Sequence, residues 1–446
     1  MAKPTPITQE QLKNFSRHYH DSPLRQLATC ALAKSEMADV AYCTPGAAAM
    51  LHKFSIEIPT LPVTNQKHSG RCWLFASLNV LREKIAKEKN LDKFELSQSY
   101  AAFWDKFERA NYFLESIIQT ATLPTDDRVV QHILTTGVHD GGQWDMFVNL
   151  VEKYGIIPKD AMPETAQSSN TQMMNRMLNQ SLKNAAIHIR QMMAQGSGMK
   201  KVDEYKVSVL DKVYGYLCSC YSEPPKHFDF EYVDRKGEYH IERGYTPSSF
   251  YEKYIGDMVQ DTISIINAPT DDKPYYRTYT VSMLGNIVDG RDVCYLNLPM
   301  SEFKELIIQQ LKAGQLVWFG SDVGKCGSRE EGLWDTGSFD YELLTGLDLE
   351  INKKDGLDYW FSAMNHAMVI SGVSLDENGA PIRWKIENSW GDEKGNKGYY
   401  VCSDSWFDQY VYQAVVSRST LGDKVSLLDQ KPIVLNPWDP MGSLAD

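Results

Sequence analysis

Residues 66–75 read Gln-Lys-His-Ser-Gly-Arg-Cys-Trp-Leu-Phe, and this stretch decides how the rest of the chain is interpreted. Gln66 stands six positions before Cys72, and Cys72 opens a predicted helix. The helix places large aliphatic side chains on one face at spacings of four, three and four: Leu74, Leu78, Leu81 and Ile85. Lysines near its far end, with Asn90 as a stop, predict that it ends at Lys89.

A second group of polar residues follows almost three hundred positions later (366 − 72 = 294). His366 precedes the apolar run 367–370, and Asn388 opens the tetrapeptide Asn-Ser-Trp-Gly. The separation of 22 positions between His366 and Asn388 suits two adjacent antiparallel strands. We therefore predict that these two side chains lie together.

Together these residues supply the parts of a cysteine-peptidase site. Cys72 is the candidate nucleophile, and His366 is its candidate base. Asn388 orients the imidazole, and Trp390 shields their hydrogen bond from water. Gln66 donates a side-chain N–H to the tetrahedral oxyanion, beside the backbone N–H of Cys72. The positive end of the helix dipole and a neighbouring imidazolium predict a resting thiolate–imidazolium pair.

Each of these residues also has an ordinary structural explanation when it is considered alone. A lone helical cysteine is most often packing, and a lone histidine can be a structural residue at the start of a strand. A lone glutamine is most often a loop amide facing solvent, and Asn-Ser-Trp-Gly alone also fits a plain turn. The order Gln66, Cys72, His366 and Asn388 favours catalysis over these alternatives.

Three further motifs carry weaker signals. Gly141 and Gly142 would let a substrate backbone approach closely because neither has a Cβ, although a plain turn explains them nearly as well. The methionines within 173–193 indicate packing or a subunit contact, with a Met-lined binding face as the alternative. Cys218-Ser219-Cys220 lacks the two-residue gap and the second pair of a zinc site, so it indicates packing. No metal or cofactor is expected.

Composition and charge indicate a soluble globular protein of 446 residues, with 43% hydrophobic and 23% charged residues. The net charge of −12 gives little long-range attraction for phosphate backbones, so nucleic acid is not an expected partner unless a local basic patch exists. No apolar run approaches the roughly 20 residues of a membrane-spanning helix. The polar stretch 1–20 does not resemble a secretory signal. Eight scattered cysteines then predict reduced thiols and a cytoplasmic location.

The remaining patterns give a coarse division of the chain. A long helical stretch is predicted over Thr171–Gln195, followed by a hairpin over Phe228–Tyr239. Residues 286–415 are rich in predicted strands, the first of them Arg291–Leu296. The tail 431–446 contains three prolines and is predicted to be extended rather than helical.

The motifs of this chain resemble those of the papain-like cysteine peptidases, and more narrowly the branch of bleomycin hydrolase and bacterial aminopeptidase C. The matching stretches span nearly the whole chain: 62–75, 140–146, 317–320, 365–368, 387–391 and 438–442. Two departures from papain are visible. Ser69 stands where papain has a disulfide-forming cysteine, which agrees with a cytosolic enzyme, and the long separation of Cys72 from His366 implies an insertion near 160–285.

The resemblance implies an α+β fold with two lobes, one helical and one a β-barrel, together with a largely helical insertion and a C-terminal arm. It divides the chain into five segments: 1–64, a lead-in packing on the barrel lobe; 65–160, the helical lobe carrying the nucleophile; 161–285, an inserted oligomerisation segment; 286–415, the β-barrel lobe carrying His and Asn; and 416–446, an arm reaching the active-site cleft.

The resemblance also implies a cysteine aminopeptidase that acts on peptides through a thioester acyl-enzyme, and on bleomycin-like amides. It implies six subunits in a barrel, and a terminal carboxylate that pairs with the free amino group of the substrate. Substrate binding then involves Asn365, Trp390, Ala445 and Asp446, besides the two glycines. The branch often ends in Gly-x-Leu-Ala, whereas this chain adds Asp446, so either Asp446 is trimmed or the anchoring carboxylate moves by one residue.

Two alternatives remain open from the residues alone. The same Cys-His-Asn chemistry also serves an amidase or acyltransferase that acts on non-peptide amides. A protein of another class, a non-catalytic binding barrel, would keep the fold without the reaction. A complete site argues against the second alternative, because a site without a function is expected to lose at least one member.

Overall fold

The N-terminal region consists of four helices on the outside of the molecule, and the computed structural model describes the chain from residue 4 to residue 444. These helices precede a short strand: α1 (Gln9–His20), α2 (Pro23–Leu32), α3 (Met37–Ala41), α4 (Thr44–Ala49) and β1 (Ile56–Glu57). Neither α1 nor α2 buries a residue within the chain. Large apolar side chains such as Phe15 and Leu27 are therefore exposed here.

The helical lobe is built around the helix that carries the candidate nucleophile. Its elements are α5 (Cys72–Lys89), α6 (Gln98–Gln119), α7 (Arg128–Thr136) and α8 (Trp144–Tyr154). The helix α5 is buried along almost its whole length, since it lies between the other helices and the sheet. It ends as predicted, because Asn90 adopts a left-handed conformation with φ 54° and donates its N–H to Ala86.

A largely helical segment follows the helical lobe. It contains α9 (Gln172–Ala194), α10 (Met199–Tyr221), β2 (Phe228–Val233), β3 (Tyr239–Tyr245) and α11 (Pro247–Tyr254). The helices α9 and α10 pack against α6 and against each other. The methionine stripe of α9 is divided, because Met174 is buried whereas Met173 and Met177 are exposed. The predicted hairpin is present as the antiparallel pair β2–β3.

The second lobe is formed by one large sheet with helices on its outside. Its elements in chain order are β4 (Thr262–Ile266), β5 (Thr278–Val281), β6 (Tyr295–Asn297), α12 (Met300–Lys312), β7 (Val317–Ser321), β8 (Gly327–Ser328), β9 (Leu333–Trp334), α13 (Tyr341–Thr345), α14 (Lys353–Asp358), β10 (His366–Leu375), β11 (Pro381–Glu387), β12 (Tyr399–Ser403), α15 (Asp404–Tyr410), β13 (Val411–Ser417) and β14 (Ile433–Leu435).

The strand β10 lies in the middle of this sheet. The order is β14-β5-β6-β4-β13-β7-β10-β11-β12-β9-β8, and β1 also pairs with β10. Both neighbours of β10, β7 and β11, run antiparallel to it. The strand is buried over nearly its whole length, and α5 packs against it. The lobe interface therefore brings the start of α5 to the start of β10.

The two-lobe α+β architecture expected from the sequence is confirmed, and one predicted strand is present but begins later than expected. Arg291–Leu296 was predicted to be a strand, but the strand starts only at Tyr295. Side chains of α8 form hydrogen bonds with the backbone groups that would otherwise pair with a neighbouring strand. Asn149 bonds both the N–H and the carbonyl of Arg291, and Asp145 accepts the N–H of Cys294 at 3.1 Å. The boundaries of the five segments stay predictions.

The tail is extended, as predicted, except for one short turn. The strand β14 pairs in parallel with β5, and a single 3-10 turn spans Pro440–Gly442. Ala445 and Asp446 lie outside the described residues. Between residues 4 and 444, no helix combines the length and the apolar character that a membrane crossing requires.

Candidate active site

Cys72 lies at the first position of α5, directly beside the strand that begins with His366. Its side chain is 1% exposed. Its sulfur accepts the backbone N–H of Ala367 at 3.4 Å. Because Ala367 is the residue after His366, this contact places the thiol at the start of β10. Cys72 and Ala367, separated by 295 positions in sequence, thus meet across the lobe interface.

His366 and Asn388 form a direct side-chain hydrogen bond. His366 Nε2 and Asn388 Oδ1 lie 2.8 Å apart. His366 begins β10 and Asn388 directly follows β11, and these two strands are adjacent and antiparallel, as the spacing predicted. Asn388 Oδ1 also accepts the backbone N–H of Ser389 at 2.8 Å, which identifies that atom as the amide oxygen. His366 Nε2 therefore carries the proton, and Nδ1 keeps the lone pair with which it can act as a base.

Trp390 covers the imidazole. The ring centroids of His366 and Trp390 are 4.7 Å apart, with the ring planes inclined by 30°. The guanidinium carbon of Arg329 lies 4.2 Å from the Trp390 ring centroid. His366 is only 4% exposed, so its hydrogen bond to Asn388 is kept from water. A hydrogen bond is stronger in such a low-dielectric position than it is in water.

The charges of the thiol and imidazole are governed mainly by burial. Burial raises the pKa of the Cys72 thiol to about 12, opposed in part by the N–H groups of Ala367 and Trp73. Burial lowers the pKa of the His366 imidazole to about 4, opposed by its bond to Asn388 and assisted by the charge of Arg329. Both shifts favour the uncharged forms. Burial therefore opposes each charge taken singly, and the resting thiolate–imidazolium pair expected from the sequence stays a prediction.

Gln66 joins the loop before Cys72 to the Asn388-Ser389-Trp390 turn. Its side-chain oxygen accepts the hydroxyl of Ser389 at 2.7 Å, and its backbone N–H donates to the carbonyl of Ser389 at 2.8 Å. Its Nε2 donates to the carbonyl of Ser69 at 2.6 Å. An amide nitrogen has two hydrogens, so this bond engages one N–H of Gln66 and leaves the second for another acceptor.

Asp140 joins the loop before Cys72 to the helical lobe. Its carboxylate accepts the N–H of Gly70 at 2.9 Å and the ammonium of Lys106 at 2.6 Å. Its carbonyl accepts the indole N–H of Trp73 at 2.6 Å. Burial alone would raise the pKa of Asp140, but Lys106 and the surrounding donors hold it well below its usual range. The loop that precedes the nucleophile is thus fixed by a buried carboxylate.

The two glycines after Asp140 are buried at the same place. A Cβ on Gly142 would lie 2.7 Å from the Trp73 ring and 2.9 Å from the Arg109 guanidinium. The carbonyl of Gly141 accepts a short hydrogen bond from Arg109. Glycine is therefore required at 142 by the packing of α5. Contact of Gly141 and Gly142 with a substrate stays a prediction.

The remaining predicted binding residues lie in different surroundings. Asn365 is exposed, and its amide bonds the carboxylate of Asp322 at 2.6 Å and the N–H of Val323 at 3.0 Å. The end of the described tail lies near the start of β10, because the Ser443 hydroxyl donates to the carbonyl of Met364 at 3.2 Å. Ala445 and Asp446 lie outside the described residues.

Sequence reasoning gave no role to several residues that hold this site together. Ser389 bonds Gln66, Asp140 holds the loop at Gly70, and the buried Arg71 forms an ion pair with the half-buried Glu164. Ser389 and Asp140 stand inside motifs that the sequence analysis quoted, so their position there was the available signal. The pairing of Arg71 with Glu164 had no such signal, because 93 positions separate the two residues.

Within residues 4–444, a single group of side chains has the spacing of a metal site, and it lies elsewhere. Asp234, Glu238 and His240 place ligand atoms within 4.8 Å of one another on the β2–β3 hairpin. Two of these residues are only half-buried, and Glu238 is exposed. The Asp234 carboxylate already accepts N–H groups of its own turn. All eight cysteines are free thiols, Cys218 and Cys220 among them.

Known proteins resemble this chain in both sequence and structure. The profile of the family described as "Peptidase C1-like family" matches residues 6–442. Aminopeptidase C of Lactobacillus delbrueckii subsp. lactis is 46% identical over 443 residues, 98% of each chain. Bleomycin hydrolase of Rattus norvegicus is 40% identical over 404 residues, covering 88% of this chain and 89% of its own.

A solved structure has nearly the same fold. The crystal structure of PepW from Lactobacillus rhamnosis HN001 matches with a TM-score of 0.96 and 46% sequence identity. The match covers 98% of this chain and 99% of that one. The agreement therefore includes both lobes and the helical segment between them.

Proposed function

The chain belongs to the peptidase C1-like family and is a cysteine aminopeptidase, and from this premise we propose that it releases N-terminal residues from peptides through a thioester on Cys72. One observation carries the proposal. The Cys72 sulfur accepts the N–H of Ala367 at 3.4 Å while the neighbouring His366 is hydrogen-bonded to Asn388 at 2.8 Å. A thiol, a base and the group that orients the base therefore lie at one point of the lobe interface.

In the proposed first half-reaction, the Cys72 proton moves to His366 Nδ1 as the sulfur attacks the scissile carbonyl carbon. A carbon–sulfur bond forms, and the carbonyl π electrons move to oxygen. The second N–H of Gln66 and the backbone N–H of Cys72 stabilise this oxyanion. When the carbonyl re-forms, the carbon–nitrogen bond breaks and His366 returns its proton to the leaving amine. The product is an aminoacyl thioester on Cys72.

In the proposed second half-reaction, water attacks the thioester. His366 Nδ1 takes a proton from the water, and the carbon–sulfur bond breaks as the tetrahedral intermediate collapses. The thiol leaves with that proton, and the free amino acid is released. Because burial disfavours a lone thiolate and a lone imidazolium alike, proton transfer and attack are expected to occur together. Asn388 holds the imidazole in the tautomer that both half-reactions require.

We extend the proposal to the tail. The described part of the tail is anchored near His366, since Tyr295 donates to the carbonyl of Met441 at 3.0 Å and Ser443 donates to the carbonyl of Met364. Leu444 is buried. Two more residues, Ala445 and Asp446, follow Leu444 in the sequence, and in this proposal the terminal carboxylate pairs with the substrate ammonium. Such a pair restricts the enzyme to peptides with a free N-terminus.

The proposal also covers substrate binding, cellular location and subunit assembly. Gly141, Gly142, Asn365 and Trp390 contact the peptide. Since bleomycin hydrolase is a relative, we also propose that bleomycin-like amides are substrates. The enzyme acts in the cytoplasm as a homohexamer. The exposed apolar side chains of α1 and α2, including Phe15 and Leu27, support a subunit contact.

The experiment is a panel of aminoacyl fluorophores, each with a free and an N-acetylated amino group, tested on the wild type and on Cys72→Ala. We expect release of the fluorophore only from free amines and only by the wild type. Equal turnover of free and acetylated compounds would refute exopeptidase action. Activity that survives in Cys72→Ala would refute the nucleophile.

A second experiment tests the tail. Deletion of Ala445 and Asp446 should allow cleavage of the acetylated compounds, and deletion of Asp446 alone is its matched control. If the shorter deletion leaves the preference for free amines intact, Ala445 supplies the anchoring carboxylate. A doubly shortened enzyme that still ignores blocked peptides would refute the role of the tail.

A further inference from the structure

The loop before Cys72 is held by a segment that belongs to neither lobe in sequence. Residues 164–175, named here the bracing segment, stand at the beginning of the inserted region. The backbone of His68 bonds Ser169 at 3.0 Å and Thr171 at 3.4 Å. The Glu164 carboxylate accepts two parallel bonds from the guanidinium of Arg71, at 3.1 and 2.7 Å.

The ion pair is connected to Gln66 by a short chain of hydrogen bonds. Arg71 Nε donates to the Ser69 hydroxyl at 3.0 Å. That hydroxyl donates to the carbonyl of Gln66 at 2.7 Å, and the Gln66 amide donates back to the carbonyl of Ser69 at 2.6 Å. A displacement of Arg71 is therefore transmitted to the side chain that faces the oxyanion.

The ion pair of Arg71 and Glu164 is well suited to hold the loop before Cys72 in one position. Arg71 is 1% exposed and Glu164 is 18% exposed, so water competes little for either charge. Ser168 gives the carboxylate a further hydrogen bond at 2.6 Å. Burial alone would raise the pKa of Glu164, but Arg71 and Ser168 lower it below its usual value. A bidentate pair of this kind fixes direction as well as distance.

We propose that Arg71 and Glu164 are positioning residues for the oxyanion hole, and that the bracing segment thereby completes the active site from the inserted region. The inference rests on the proposed function, since Gln66 must be the oxyanion donor. Neither residue touches the substrate. Each acts on Gln66 through the hydrogen bonds of Ser69.

The expected kinetic effect is specific to the transition state. Glu164→Gln removes the charge, and Arg71→Lys keeps the charge but cannot form both bonds. Since a misplacement of about 1 Å can cost roughly a hundredfold, each change should lower kcat by about tenfold to a hundredfold. KM should stay unchanged, because the oxyanion exists only in the transition state. The matched control is Glu152→Gln, which removes the carboxylate of the half-exposed Arg291–Glu152 pair.

Two probes of Cys72 separate the oxyanion hole from the nucleophile. Iodoacetamide alkylates the sulfur by displacing iodide, and no oxyanion forms. The aldehyde of the amino acid whose aminoacyl fluorophore is cleaved fastest adds to the thiol, forming a carbon–sulfur bond and placing the former carbonyl oxygen in the hole. In both variants aldehyde affinity should fall by the same factor as kcat, while the alkylation rate stays that of the wild type.

The decisive test combines each variant with Gln66→Ala. If the pair acts through Gln66, its substitution should have little further effect in the Gln66→Ala background. Full multiplication of the two effects would overturn the inference, and so would equal losses in alkylation and in kcat. If Cys72→Ala is inactive and Gln66→Ala is slow, yet Arg71→Lys and Glu164→Gln match Glu152→Gln, the inference fails while the proposed function stands.

Discussion

Substitution of Glu83 by Gln should stabilise the protein at alkaline pH much more than at acidic pH. Glu83 lies on α5 at the lobe interface. Its carboxylate accepts the N–H of Leu61 at 2.9 Å and lies 3.4 Å from Arg82 Nε. Arg82 in turn donates to the buried Glu387 at 2.9 Å. Two carboxylates therefore share one guanidinium, and the charge of Glu83 is poorly compensated.

The magnitude follows from the pKa of Glu83. Burial is the main cause that raises this pKa from 4.5 to about 7, and the Glu387 charge adds to it. A group whose folded pKa is raised loses stability as the pH rises from its unfolded pKa through its folded pKa. At roughly 1.4 kcal/mol for each pH unit, the ionised Glu83 costs about 3 kcal/mol above pH 8. Gln removes this cost and keeps an oxygen for Leu61.

Urea unfolding of the wild type and Glu83→Gln at pH 5 and pH 8.5 measures the effect. The free-energy advantage of the variant should grow by about 2 to 3 kcal/mol between these two values. Glu88→Gln is the matched control on the same helix, where the side chain is 48% exposed. An advantage of Glu83→Gln that is equal at both pH values would refute the argument from burial.

Three further predictions concern the site itself. The acid limb of kcat/KM should lie near pH 4, because burial lowers the pKa of His366 to about 4. Only the unprotonated ring accepts the thiol proton. A limb near pH 6.5 in the pH profile would contradict this prediction. Asn388→Ala should lower kcat by roughly tenfold to a hundredfold, because it removes the buried hydrogen bond to His366, which is worth about 1–3 kcal/mol. Single-turnover kinetics measures this loss. Gly142→Ala should destabilise the folded protein by about 1–3 kcal/mol, because the added methyl group overpacks Trp73. Gly215→Ala should not destabilise it, because no atom lies within 4 Å of the added methyl group. Urea unfolding midpoints measure both effects.

Much of the fold could be predicted where the signal is local. The helix α5 was predicted to begin at Cys72 and to end at Lys89, and it is observed over these residues, because Asn90 with φ 54° ends it. The meeting of His366 with Asn388 followed from a separation that suits adjacent antiparallel strands. These inferences needed only periodicity, turn residues and strand geometry.

Other features depend on contacts that a linear pattern does not display. Asn149 and Asp145 bind the backbone of 291–294 and prevent the predicted strand there, although nothing near 291 indicates it. The bond between Arg71 and Glu164 likewise joins distant parts of the chain. The balance of charge at Cys72 depends on burial, which requires the packed lobes.

One helix that was not predicted does show a helical pattern of apolar residues in the sequence. The helix α10 over Met199–Tyr221 was not predicted, yet its buried residues Val202, Val209, Val213 and Leu217 recur at spacings of seven, four and four. That pattern fits one helical face as well as the pattern of α5 does. Its β-branched residues, which favour strands, weaken the signal of this helix.

The proposed mechanism requires that the Cys72 sulfur becomes acylated during turnover. Rapid acid quenching of the enzyme with an aminoacyl ester, followed by peptide mass spectrometry, tests it directly. We expect an aminoacyl adduct on the peptide that contains Cys72, formed at the rate of the first half-reaction, and absent from Cys72→Ala. Ester hydrolysis that proceeds at the full rate with no adduct on Cys72, or with an adduct on another residue, would contradict it.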